Sequence, residues 1–265
     1  MSLVISKVFT YDEDAGNYIQ AVEAADGQAL EAATRQAINN FVVGCKQDGI
    51  WSAIKASCIL AGARTRQGAL VPLRNEYDFV NNLQPAPPQS FNFVDADYNR
   101  KTGFVGNGST KYLNSNRNNN ADPQDSKHLS VFKSSNATVA GGLIGTEVTA
   151  NGTSWIFEGF ATGSDTYRIN VSPSITFPLG SYPDTGFIGA VRSSSSQSTR
   201  RYSGVAVTDS STSQAAASEN ILVFRAATQN TNARLAFYSI GESLDLARLD
   251  SRVTDLINAF GAAIP

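Results

Sequence analysis

The sequence predicts a mainly β protein, an antiparallel sandwich with a helical segment before it and one helix after it. Between Ser90 and Gly241 short alternating apolar runs are separated by Gly, Asn and Ser clusters. This is the pattern of strands that bury one face and wet the other. Asn17–Ala61 and Leu246–Ile264 instead repeat their apolar positions every three or four residues, the helical period. Charged residues make up only 17% of the chain, against about a quarter in typical domains, while Ser, Thr, Asn and Gly are abundant. That balance favours turns and hydroxyl-rich strands over long solvated helices.

In chain order, Tyr18, Val22, Ala25, Leu30, Ala33, Ala37 and Phe41 set the first stripe, and Ile50, Ile54 and Ile59 continue it after a turn. Two or three short packed helices are expected. Asp26–Gly27 and Asp48–Gly49 are stops, because Gly takes the left-handed conformation that ends a helix. If Asp48–Gly49 turns one helix back on another, Cys58 lies roughly 7 Å too far along to bridge Cys45. Both cysteines read as small buried residues. Gly62, Gly68 and Pro72 break the helical pattern, and Gln84–Gln89 is a proline-stiffened connector. The boundary is placed there: residues 1–88 as a helical attachment segment and linker, 89–241 as the sandwich, 242–265 as the C-terminal helix.

Ten strands are expected, at Phe91–Val94, Phe104–Val105, Lys111–Leu113, Leu129–Phe132, Trp155–Phe160, Tyr167–Val171, Phe187–Val191, Gly204–Val207, Ile221–Phe224 and Arg234–Ile240. Gly106–Asn107–Gly108 predicts a tight hairpin, since these residues accept positive φ. Leu246, Leu249, Val253, Leu256, Ile257, Phe260 and Ile264 form the last apolar stripe, with Ser243 or Asp245 to cap it.

The net charge of −2 gives no positive field to gather phosphates, so no nucleic-acid partner is implied. No apolar run is long enough to span a membrane, and residues 1–16 lack the order of a secretory signal. Two cysteines and the single His128 make no zinc site, and no cofactor is expected.

A glycosidase needs two carboxylates flanking the sugar linkage. Glu147, Glu158 and Glu219 are the only glutamates between Phe91 and Gly241, and none has an acidic partner two residues away. No Gly-x-Ser-x-Gly elbow accompanies His128. The chain is therefore expected not to be an enzyme, with no catalytic residue. The Asn-rich stretch Asn114–Asp125 is the most unusual local feature. Its amides suit sugar hydroxyls, and they equally suit turns bonded to their own backbone. Of the aromatic rings, Trp155 reads as core and Tyr182, beside Pro183–Asp184, as exposed. Asn116, Asn118, Asn119, Asp122 and Tyr182 are the candidate carbohydrate-binding residues.

Three segments together resemble a family of tailed-bacteriophage virion proteins with a concanavalin A-like or LamG-type sandwich. They are Phe41–Thr65 (FVVGCKQDGIWSAIKASCILAGART), Asp97–Arg117 (DYNRKTGFVGNGSTKYLNSNR) and Arg234–Leu246 (RLAFYSIGESLDL). The resemblance implies a jelly-roll sandwich serving as a tail-fibre, baseplate or capsid-decoration component. It places the protein on the virion exterior after synthesis in a host cytoplasm. The partners implied are other virion proteins, copies of itself in a homo-oligomer such as a trimer, and host surface polysaccharide. A free-standing carbohydrate-binding lectin and a glycan hydrolase are the alternatives. The N-terminal helices are expected to attach the chain to its assembly, leaving the sandwich outward.

Overall fold

Asp12 accepts the Asp14 N–H and opens α1 (Glu13–Asp26), which Gly27 ends at φ 63°. The computed structural model describes residues 11–160 and 163–265. Residues 1–10, and with them most of the stretch weighed as a signal sequence, lie outside the described residues. α2 (Ala32–Gln47) stops at the expected place, with Gly49 at φ 72°. The Asp26 carboxylate accepts the N–H groups of Arg64 and Thr65 at 2.7 and 2.8 Å. This ties the end of α1 to the start of the short α3 (Arg66–Ala69).

The helical reading of Ile50–Ile59 does not hold. After one turn of 3-10 helix, Ile54–Ile59 is a strand, paired with Arg234–Gly241 so that Cys58 faces Tyr238 and Ile59 faces Phe237. Its three-to-four-residue spacing coincides with a two-residue alternation, Ile54, Ala56 and Cys58, and the long-range partner decides between them.

Two antiparallel sheets pack as a sandwich. The first runs in space Val205–Ser210, Gln197–Tyr202, Gly186–Arg192, Lys127–Ser135, Arg234–Gly241, Ile54–Ile59 and Arg74–Asn75. The second runs Ile175–Phe177, Asp165–Arg168, Trp155–Glu158, Gly141–Gly145, Asn220–Val223, Tyr112–Asn118 and Gln89–Phe91. Two strands from before residue 88, Ile54–Ile59 and Arg74–Asn75, are thus hydrogen-bonded into the first sheet. Gly106–Asn107–Gly108 makes no hairpin. Gly103–Val105 pairs with Arg234–Leu235 in the first sheet while Tyr112–Asn118 belongs to the second, so this turn crosses between layers. Asn107 Oδ1 accepts the N–H groups of Ser109, Thr110 and Lys111 and holds the crossing.

α2 packs against α4 (Leu246–Ala263), and both lie on the first sheet. Phe41 meets Phe237 edge-on at 5.7 Å between ring centres. Gly189 leaves room for Leu246, whose side chain a Cβ there would meet at 2.9 Å. Asp245 caps α4 through the N–H groups of Ala247 and Arg248. The α4 stripe of Leu249, Val253, Leu256 and Phe260 is buried within the single chain.

His128 lies buried under Ser239 and the Glu242 carbonyl, 2.6 Å from each. Burial drives its pKa down to about 4 from 6.5. Below pH 6.5 the unfolded chain takes up a proton that the folded chain refuses, so stability falls as pH drops from 6.5 toward 4. We expect the stability gap between wild type and His128→Gln to narrow across this window by on the order of 3 kcal/mol. Urea titrations of both proteins across that range would measure it, and a gap independent of pH would refute it.

Candidate functional site

The edge of the second sheet builds the site. Gln89–Phe91 pairs with Tyr112–Asn118, setting Phe91 opposite Tyr112 and Gln89 opposite Asn114. Leu113 and Ser115 are buried, so the alternation of a strand turns Tyr112 and Asn114 outward. The neighbouring Asn220–Val223 brings Leu222 opposite Asn114. Phe91 and Tyr112 stack with ring centres 4.4 Å apart and planes within 8°. Phe91 remains 36% exposed, leaving apolar ring surface open to a ligand.

Beside this stack, Phe91, Tyr112, Asn114, Glu147, Val148, Glu219, Asn220 and Leu222 line a groove of about 290 Å³. The Arg225 guanidinium stands 5.2 Å from the Tyr112 ring centre and is ion-paired with Glu147. Glu219 Oε2 accepts the Val148 N–H at 3.3 Å and has no ion-pair partner among the described residues. The groove thus combines an aromatic platform, two side-chain amides that donate and accept, and two carboxylates that only accept. This set suits a polyhydroxylated ligand. A larger cleft of about 380 Å³ lies between α2 and α4, but its arginine, Arg252, is already engaged by Asp48 at 2.7 Å.

None of the five candidate carbohydrate-binding residues lines the groove, although Glu147, Glu219 and Asn114 at the start of the Asn-rich stretch do. Asn116 is half-buried at φ 58° and donates its amide to the Pro87 carbonyl at 2.6 Å. Asn118 is buried and accepts the Asn120 N–H. Asn119 is fully buried and donates to the Gly152 carbonyl at 2.9 Å and to Asn170 Oδ1 at 3.2 Å. Asp122 is buried against Arg117 at 2.5 Å and Lys127 at 3.5 Å. Burial raises its pKa, but Lys127 and Arg117 outweigh this and hold the carboxyl below its ordinary value. Tyr182 is not an exposed ring: it is 4% exposed and packs edge-on against Phe177 and Tyr202. Trp155 is buried, with Arg168 3.6 Å from its ring centre. The signal that finds the true lining is the two-residue alternation Tyr112-x-Asn114 beside Gln89-x-Phe91.

No protein-family model matches the sequence, and no curated protein matches it. Similar solved structures include a tryptophan-to-alanine mutant of HCR/D, at 11% identity and a TM-score of 0.49, covering 77% of this chain and 52% of that one. They also include a mutant Trypanosoma rangeli sialidase displaying trans-sialidase activity, at 8% identity and a TM-score of 0.47, covering 84% and 39%. An arabinofuranosidase complexed with arabinofuranosyl-α-1,2-xylobiose matches at 8% identity and a TM-score of 0.41, covering 70% and 46%. The chain spans about half the length of these proteins or less. At such identities the likeness concerns the fold.

The expectation that the chain is not an enzyme is corrected by these comparisons, because the similar structures include glycosidases. Its premise also fails in the geometry. A search for acidic residues two apart misses a pair brought together by folding, and Glu147 and Glu219 line one groove.

Proposed function

We propose that the chain contacts host surface glycans through the groove beside Phe91 and Tyr112, as an exterior component of a tailed-phage virion: a tail fibre, baseplate part or capsid decoration. The observation that carries the glycan reading is the stacked Phe91–Tyr112 pair flanked by Asn114, Asn220 and Glu219. Sugar rings stack their C–H faces on aromatic rings while amides and carboxylates meet their hydroxyls. The virion reading rests on the resemblance of the three segments. Phe79 and Val80, 86% and 62% exposed in the turn before the second sheet, supply apolar surface suited to contact with another virion protein.

Phe91→Ala is expected to weaken saturable glycan binding about tenfold, since an aromatic contact contributes about 1 kcal/mol or somewhat more. The loss of the Phe91–Tyr112 stack should lower the melting temperature only modestly, leaving the fold intact. Calorimetry on a hit from a glycan array measures this, and equal affinity of the two proteins would sink the groove assignment. Co-sedimentation with intact particles tests the virion reading. Glu147 and Glu219 favour a second reading, hydrolysis of a glycan bound there, with one carboxyl as acid and the other as base or nucleophile. Release of reducing sugar that disappears in Glu219→Gln would establish it.

A further inference from the structure

The charge arrangement of the groove points to a further property: we infer that it selects glycans by charge, accepting neutral or amino-bearing sugars and excluding acidic ones. This inference rests on the glycan reading above and specifies its ligand class. The two carboxylates of the groove are not equivalent. Glu147 is neutralised by Arg225, which at the same time covers part of Tyr112. Glu219, just before the strand Asn220–Val223, receives one backbone N–H from Val148 and has no ion-pair partner among the described residues.

The Arg225 guanidinium beside the platform has its two terminal amino groups engaged by Glu147 and by Asn230 Oδ1 at 3.3 Å, and its Nε is buried away from a ligand. A ligand entering beside Phe91 therefore meets one carboxylate with no cation beside it, Glu219, next to the amides of Asn114, whose Oδ1 already accepts the Asn116 N–H at 2.9 Å, and of Asn220. Hydroxyl and ammonium groups donate to such a surface. A ligand carboxylate brings no donor and would lie beside the like charge of Glu219. Discrimination of this kind is electrostatic, so it weakens as salt shortens the Debye length.

Three β-1,4-glucan hexamers with one backbone and different charge test it: cellohexaose, its glucosamine counterpart and its C6-oxidised uronate counterpart. Calorimetry of the full chain at low salt is expected to show the uronate at least about tenfold weaker than cellohexaose and the amino form tighter than both. Glu219→Gln is expected to lose both the advantage of the amino form over cellohexaose and the penalty on the uronate, whatever its overall affinity for the three. Uronate binding as tight as cellohexaose, or an unchanged order in Glu219→Gln, overturns the charge selection while leaving glycan binding intact. Absence of binding by all three removes the glycan reading and this inference with it.

Discussion

A chain shortened to begin at Ser90 is expected to aggregate rather than fold, with no cooperative unfolding transition. The cut removes Ile54–Ile59, the neighbour that completes one side of Arg234–Gly241. That leaves the N–H and C=O groups of a strand buried on both faces without partners, an open edge that templates association. It also strips α2 from Phe237 and from the buried stripe of α4. Expression followed by light scattering and thermal melting decides it. A soluble monomer with a sharp transition would show that the sandwich stands without its N-terminal strands. The milder Phe41→Ala probes the same interface and is expected to cost about 3–5 kcal/mol, the usual range for emptying a packed aromatic site.

The second large effect is expected at an ion pair between the sheets. Lys133 reaches from the first sheet to Glu158 on the second, and both are buried. Lys133 also donates to Asn136 Oδ1 at 3.0 Å. Glu158 Oε2 has no hydrogen-bond partner among the described residues. Burial raises the Glu158 pKa even though Lys133 pulls it down. Lys133→Met removes the cation paired with Glu158 and should cost about 3–5 kcal/mol by stranding a buried carboxyl.

The sign of the pH effect follows from the same burial. In the variant the folded chain holds a proton on Glu158 that the unfolded chain has already released, so stability falls as pH rises above the ordinary glutamate range of 4.5. Lys133→Met should therefore be closer to wild type in mild acid than at neutral pH. The double replacement Lys133→Met with Glu158→Leu should return to within about 1 kcal/mol of wild type, because two apolar side chains fill the space without desolvating charge. Denaturant titration of the wild type, the single variant and the double variant measures the coupling. A double variant no more stable than Lys133→Met would mean that the pair itself holds the sheets together.

The candidate site was only partly legible before folding. Glu147 and Glu219 stand out as isolated glutamates, but nothing in their local context joins them, since the groove brings together three strands and two connections. The Asn-rich stretch drew attention by composition alone. Its amides turned out to bind the Pro87 and Gly152 carbonyls and neighbouring side chains, the work that buried polar groups must do when water is excluded. Tyr182 sits beside a Pro-Asp turn, which locally resembles surface. It is covered because Phe177 and Tyr202 arrive from other strands.

A single element carries in its own residues the face it buries and the points where it stops. The apolar periods of α1, α2 and α4, the Asp–Gly stops, the Asp245 cap and the alternation of most sandwich strands follow from the burial of one face and from the backbone demands of a few residues. Only the tertiary structure decided that Ile54–Ile59 is a strand, that the Gly106–Gly108 turn crosses between sheets, and that Phe91, Tyr112, Glu147 and Glu219 share one groove. Local periodicity states that a face is buried but not against what. The partner is chosen by contacts between distant segments, whose free energy is realised only when the whole sandwich closes.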